Sequence, residues 1–169
     1  MINNNFYEIS VAELENAIKL IGTDWMLITA RDGEKVNAMT ASWGSLGVLW
    51  NRPVCVCYIR PQRYTYGLVE REERISVAFM SEGYRKALNY CGSHSGRDED
   101  KLSAAGLTAD TLDGAPVIAE ADTLLICRKL YVGDINEDGF VDKALLSNYK
   151  DRDYHRFYVC EIEKAYKRR

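Results

Sequence analysis

The chain has 169 residues, 47% of them apolar and 28% charged, with a formal net charge of -3. That length suits one domain, residues 1–169, whose own core suffices for folding without disulfides or a metal. The interspersed, slightly acidic charge lacks the basic excess of a nucleic-acid surface, and the tail Lys164-Ala165-Tyr166-Lys167-Arg168-Arg169 reads as a short solvated end.

Along the chain, Met1-Ile2-Asn3-Asn4-Asn5-Phe6 has no charged segment followed by an apolar one, so no signal peptide is expected. No later stretch approaches the roughly 20 apolar residues of a membrane-spanning helix, and a cytoplasmic location without membrane contact is expected. Ser10-Val11-Ala12-Glu13 has the form of a capping box. Val11, Leu14, Ala17, Ile18 and Ile21 then recur at helical spacing, and Gly22 stands where a left-handed C-terminal residue is favoured. The period changes at Trp25-Met26-Leu27-Ile28-Thr29-Ala30, an apolar strand entering the turn Arg31-Asp32-Gly33, with Val36 to Trp43 as the returning arm. Val54 to Ile59 and Ile75 to Phe79 are rich in β-formers. Short helices fit Tyr64 to Arg71, Glu82 to Cys91 after Ser81, and Glu99 to Ala105, the last capped by Asp98 and ended by Gly106. Strands at Thr123 to Val132 and His155 to Lys164 complete about six or seven strands and three or four short helices, an α+β, mainly β arrangement on an antiparallel sheet or barrel.

The five cysteines, Cys55, Cys57, Cys91, Cys127 and Cys160, include no CxxC pair and read as core residues of a reduced protein. With only His94 and His155 as histidines, no metal site is expected. Asp134-Ile135-Asn136-Glu137-Asp138-Gly139, continuing to Asp142, imitates a calcium loop. However, Leu145 occupies the position of the bidentate Glu and the flanks read as strands, so a hairpin turn is expected there. There is no GxGxxG, P-loop or GxSxG motif.

Three segments mix small residues, hydroxyls and donors: Asn37-Ala38-Met39-Thr40-Ala41-Ser42-Trp43-Gly44-Ser45, Arg60-Pro61-Gln62-Arg63-Tyr64-Thr65, and Cys91-Gly92-Ser93-His94-Ser95-Gly96-Arg97-Asp98-Glu99-Asp100-Lys101. Each has an ordinary structural reading: Thr40 and Ser42 as the polar face of a strand, Ser95-Gly96 as a turn before a capped helix. Together they offer what a flat, phosphate-tailed heterocycle needs. Small residues admit the ring, hydroxyls and amides pair its edge, and Arg or Lys meets the phosphate.

These segments, with Leu112-Asp113-Gly114-Ala115-Pro116-Val117-Ile118, Glu120-Ala121 and Leu125-Ile126-Cys127-Arg128, resemble the flavin reductase-like family in order, from about Trp25 to Ile162. The likeness is nearest to its flavoredoxin-type branch. The resemblance implies an FMN-binding split β-barrel, Greek-key-like with short flanking helices, in a homodimer with FMN near the subunit interface. It implies that Met39, Thr40, Ala41, Ser42 and Trp43 line the ring and ribityl chain, with Asn37 also among the cofactor-binding residues. Arg60, Tyr64, Thr65, Ser95, Gly96, Arg97 and Lys101 would fix polar groups and phosphate, and His155 would stand near the flavin face as the candidate catalytic group. Many family members carry Asp-His before a last strand ending Gly-Glu-Val. Here Tyr154 precedes His155 and Cys160 replaces the Gly, departures that bear on nicotinamide-dependent turnover more than on FMN binding. Three functions follow for comparison: an FMN-dependent NADH or NADPH oxidoreductase with a possible redox-protein or oxygenase partner, a flavoredoxin-like electron carrier, and a non-redox ligand-binding module.

Overall fold

The structure, a computed structural model, describes residues 5–169. The signal-peptide reading of Met1 to Asn4 lies outside the described residues. The strands are β1 (Phe6–Ile9), β2 (Met26–Asp32), β3 (Lys35–Ala41), β4 (Gly44–Leu49), β5 (Arg52–Ile59), β6 (Arg74–Phe79), β7 (Ala109–Leu112), β8 (Ala115–Ile118), β9 (Thr123–Asp134) and β10 (Arg156–Arg168). The helices are α1 (Ala17–Lys19), α2 (Tyr64–Arg71), α3 (Arg85–Ser93) and α4 (Lys101–Ala104). An eight-stranded sheet runs β3-β2-β6-β9-β10-β5-β4, with β1 also on β10, and β7-β8 form a separate hairpin.

The long strand β10 divides the sheet. One edge pairs with β9 along nearly its whole length, while the other is shared between β5, opposite Arg156 to Glu161, and β1, opposite Ala165 to Arg168. Register shifts at Val159/Cys160 and Ile162/Lys164 bend it, as bulges do. The strands nearest the middle are apolar on both faces. Because side chains alternate, Met26, Ile28 and Ala30 enter one core with Cys55, Cys57, Ile59, Leu125, Cys127 and Tyr158. Leu27, Leu124 and Ile126 point the other way, into a second core with Leu88, Cys91 and Leu102 from the helices and Ile118 from β8. This double burial explains the unbroken apolar runs of the sequence. All five cysteines are free and buried, as the core reading requires.

Several boundaries differ from the sequence expectation. The capping box forms, with Ser10 N donating to Glu13 Oε1 at 2.7 Å and Ala12 N to Ser10 Oγ at 3.3 Å. It caps only a 3-10 turn over Val11–Glu13 rather than a helix to Ile21. Asn16 is left-handed (φ 51°) and its side chain accepts from Lys19 N, restarting the helix at α1. A π-turn over Leu20–Asp24 follows, so the left-handed exit falls on Trp25 (φ 69°) and not on Gly22. A turn in which Asp98 N donates to Ser95 O delays the next helix, and Asp100, not Asp98, caps it. The arm expected to reach Trp43 ends at Ala41, and β1, β4 and the β7-β8 hairpin had no distinct strand signal. In place of a hairpin after Asp134, residues 135–155 form a long connection with 3-10 turns at Glu137–Gly139 and Lys143–Asn148. At its start Arg156 bonds Asp134, the last residue of β9, at 2.7 and 2.9 Å, and within it Arg152 meets Glu137 at 2.5 Å.

Candidate functional site

The end of β3, the end of β5 and the start of β10 meet at one mouth. A pocket of about 180 Å³ there is lined by Met39, Thr40, Ala41, Ser42, Trp43, Tyr58, Arg60, Arg63 and His155. Gly44 shapes the corner that presents Ser42 and Trp43. A Cβ there would lie 3.0 Å from Val56 O and 2.7 Å from Met26 Cε, so a side chain would push β4 from β5. Trp43 is left 45% exposed, and Met39 is turned into the core. Thr40 Oγ1 donates to Leu88 O at 2.6 Å, joining β3 to α3.

The opposite wall is held by the 135–155 connection. Arg60 pairs with Asp153 and donates to Asn148 O at 2.9 Å, while its guanidinium lies 5.1 Å over the Tyr149 ring. Gln62 also donates to Asp153, at 2.5 Å. Arg60 thus spends its charge on the loop. Arg63 does not: it donates only to Cys91 O at 3.3 Å, and no carboxylate pairs with it among the described residues. Burial lowers its pKa from the usual value, yet a guanidinium remains protonated at any working pH. The half-buried Arg63 is therefore a cation whose charge is only partly answered, facing the pocket.

His155 is buried at 7% exposure, with Trp43 centred 5.1 Å from its ring and Tyr149 OH 2.9 Å from Nδ1. Burial, reinforced by the Arg60 cation, holds its pKa down at about 4 despite the Asp153 carboxylate. The imidazole is neutral at pH 7.

The other expected residues gather beside this pocket. Asn37 Nδ2 donates to Thr65 Oγ1 at 2.7 Å, both buried, and tightens β3 against α2. Gly96 fits against them because a Cβ would stand 2.2 Å from Asn37 Oδ1 and 2.9 Å from Tyr64 Cδ1. Lys35 and Arg97 lie 5.0 and 5.6 Å from the Tyr64 ring centre. Arg97 also donates to Gln62 O at 3.0 Å, and Ser95 Oγ accepts from Arg97 N at 3.2 Å. Lys101 is placed differently. Its ammonium donates to Cys91 O at 3.0 Å and His94 O at 3.1 Å, the residue is 2% exposed, and burial brings its pKa down to about 8. With Asn37 it lines a separate cleft beside Glu99 and Asp100. Lys101 therefore stitches α3 to α4 behind the pocket.

Tyr58 and Tyr149 are site residues that sequence reasoning passed over, and Arg63 stood inside a candidate segment without being singled out. Arg63 left a signal, since it sits immediately before a helix, where an anion rather than a cation suits the dipole. Tyr149 left none, because its approach to His155 depends on the fold of the connection.

A family model described as "Flavin reductase like domain" matches residues 18–168. The chain belongs to this flavin reductase-like family. Its antiparallel sheet with short helices is the family's split barrel, as expected from the sequence. The fold is shared with an FMN-binding domain of a flavin reductase-like enzyme from Shewanella baltica, at 19% identity and TM-score 0.70, covering 97% of this chain and 78% of that one. A flavoredoxin from Methanosarcina acetivorans is 26% identical at TM-score 0.66, covering 85% and 68%. An NADH:FAD oxidoreductase from Streptomyces globisporus, solved with NAD and FAD fragments, is 18% identical at TM-score 0.62, covering 85% and 73%. No curated protein matches the sequence. Among the described residues no helix is long and apolar enough to cross a membrane.

Proposed function

We propose that the protein holds FMN at this pocket and passes electrons through it, taking them from NADH or NADPH as a flavin oxidoreductase. The observation that carries the reading is one pocket holding both the half-exposed Trp43 and Arg63, a cation without a carboxylate partner among the described residues. A flat, phosphate-tailed ring needs both an aromatic surface and an unanswered positive charge.

The donor set fits FMN. Ser42 and the backbone from Thr40 to Trp43 would pair with the polar edge of the ring. Arg63, supported by Ser95 and Arg97, would hold the phosphate, and His155 would face the ring as a neutral group. When bound, FMN supplies the two-electron chemistry. Donors from this chain aimed at the pyrimidine side favour the reduced form, where negative charge collects. One phosphate-directed set without a dinucleotide fingerprint favours FMN over FAD.

A homodimer belongs to this reading. The pocket, about 180 Å³, is smaller than the roughly 300 Å³ at which small-molecule sites begin. A second copy would complete it. Beside Trp43 a cleft of about 570 Å³ runs along Ala17, Ile18 and Leu46, and continues into an apolar groove with Val11, Leu14 and Val48. Edge strand β4 exposes Val48 and leads into Trp50, and an open apolar edge of this kind calls for a covering partner.

A second reading, a flavoredoxin-like carrier without nicotinamide activity, is favoured by the surroundings of His155: Tyr154 precedes it and Tyr149 occupies Nδ1. Anaerobic absorbance spectroscopy separates the readings. Bound flavin bleached by NADH or NADPH supports the oxidoreductase. Bound flavin that resists both but accepts electrons from a reduced redox protein supports the carrier. A colourless protein without flavin affinity removes both and leaves a non-redox binding module.

A further inference from the structure

We propose that Tyr149 is a positioning residue that donates its hydroxyl proton to His155 Nδ1, fixing the imidazole as the Nε2–H tautomer at the wall of the pocket. The two groups lie 2.9 Å apart with ring planes at 82°. That edge-on approach aims the hydroxyl at the ring nitrogen rather than at the π-face. Four contacts hold Tyr149 in place. Arg60 lies over its face at 5.1 Å, Phe140 and Tyr154 pack at 5.8 and 5.0 Å, and Tyr149 N donates to Leu146 O at 2.9 Å. Trp43 fixes the imidazole from the other side.

The direction of the bond follows from the two groups. A neutral imidazole has one donor and one acceptor nitrogen, and the hydrogen bond at one decides the state of the other. A phenol hydroxyl is the stronger acid and imidazole's bare nitrogen the stronger base, so donation from oxygen to nitrogen is the better match. Among the described residues the Tyr149 hydroxyl has no other acceptor, and reversing the bond would leave its proton without one. The charged groups facing the pair are Arg60 and Asp153, which are bonded to each other, and Arg63 across the pocket. Tyr58 and Tyr154 are the neighbouring phenols. Nε2 has no protein partner among the described residues and is left to the pocket. The site thus offers a neutral N–H donor where a charged imidazolium would be a proton source. Only the identity of the acceptor rests on the flavin reading.

The test uses the full-length protein without flavin, labelled with nitrogen-15 at histidine, with His94→Gln assigning the two signals. Long-range proton–nitrogen spectra near pH 7.5 should show His155 with a protonated Nε2 and a bare Nδ1, in one tautomer. Tyr149→Phe, which keeps the ring, should give a mixture of tautomers and lose this selection. An Nδ1–H tautomer in the unsubstituted protein, or an undisturbed single Nε2–H tautomer in the Phe variant, overturns the proposal. If the Phe variant fails to fold, the tautomer of the unsubstituted protein decides alone. Loss of the flavin reading would show as absent FMN binding with this tautomer intact, so the two failures are distinguishable.

Discussion

Arg60 and Arg63 bring two guanidinium groups to the same pocket, but Asp153 answers only the first. Arg63→Ala should therefore weaken FMN far more than riboflavin. A charge-assisted bond contributes roughly 1.5 to 3 kcal/mol, so FMN affinity should fall about ten- to a hundredfold. Fluorescence titration of both ligands reads the ratio, and an unchanged ratio would displace the phosphate from Arg63. His155 makes a pH prediction. Its pKa is about 4 in the fold against an ordinary value of about 6.5. Above 6.5 both folded and unfolded states are neutral and the group has no effect. As pH falls from 6.5 toward 4 the unfolded state takes up the proton first, so stability falls with it. Urea unfolding across that window should show a shallower decline in His155→Gln than in the parent. Equal declines would mean His155 titrates normally. At this scale the residues from Met39 to Trp43 were legible in the sequence, because small and hydroxyl residues at the end of a strand carry their own chemistry. The burial of Lys101 was not, since its carbonyl acceptors come from the end of α3, and nothing in Asp98-Glu99-Asp100-Lys101 says which way the ammonium turns.

Elements whose pattern depends on neighbours in sequence were readable, whereas those fixed by tertiary contact were not. Strand β2 and helix α2 follow from unbroken apolar and helical runs. The segment from Ser10 to Ile21 carried an equally regular helical pattern, but Asn16 breaks it in the left-handed region that Asn tolerates better than most residues. Strand β4 escaped notice because Gly44, Ser45 and Gly47 are poor β-formers, and its pairing with β5 alone makes it a strand. Asn16→Ala should destabilise the protein by about 1 to 2 kcal/mol, through the lost cap on Lys19 and the strain of Ala at positive φ. Asn16→Gly, which relieves the strain, should cost less. Chemical denaturation of the two variants checks the order, and Ala as the milder change would show that the break is not needed. Gly96→Ala offers a local test where β3 meets α2. Its Cβ would overlap the Asn37 amide, so the Asn37–Thr65 bond should break and the melting temperature fall, and an unaltered melting curve would contradict the packing described.

Across the whole molecule, the two-residue link Ser42-Trp43 joins β3 and β4, the end strands of the sheet order, at the mouth where β5 ends and β10 begins, and the apolar groove along β4 leads from that mouth. The clustering of strand-like runs, without alternating helices, pointed to a mainly antiparallel sheet. The resemblance of ordered motifs supplied the barrel, which strand counting could not, since closure depends on which distant strands pair. If a second copy covers the groove, Val48→Lys should separate dimers into monomers by light scattering and loosen FMN together with the interface. A variant that remains dimeric would place the interface elsewhere. Whether the pocket of Met39 to Trp43, Arg63 and His155 takes FMN is decided by equilibrium titration of the flavin-free protein, followed by flavin fluorescence. Saturable binding of one FMN per chain, tighter than FAD, is expected; no binding, or FAD held equally well or better, would rule this site out.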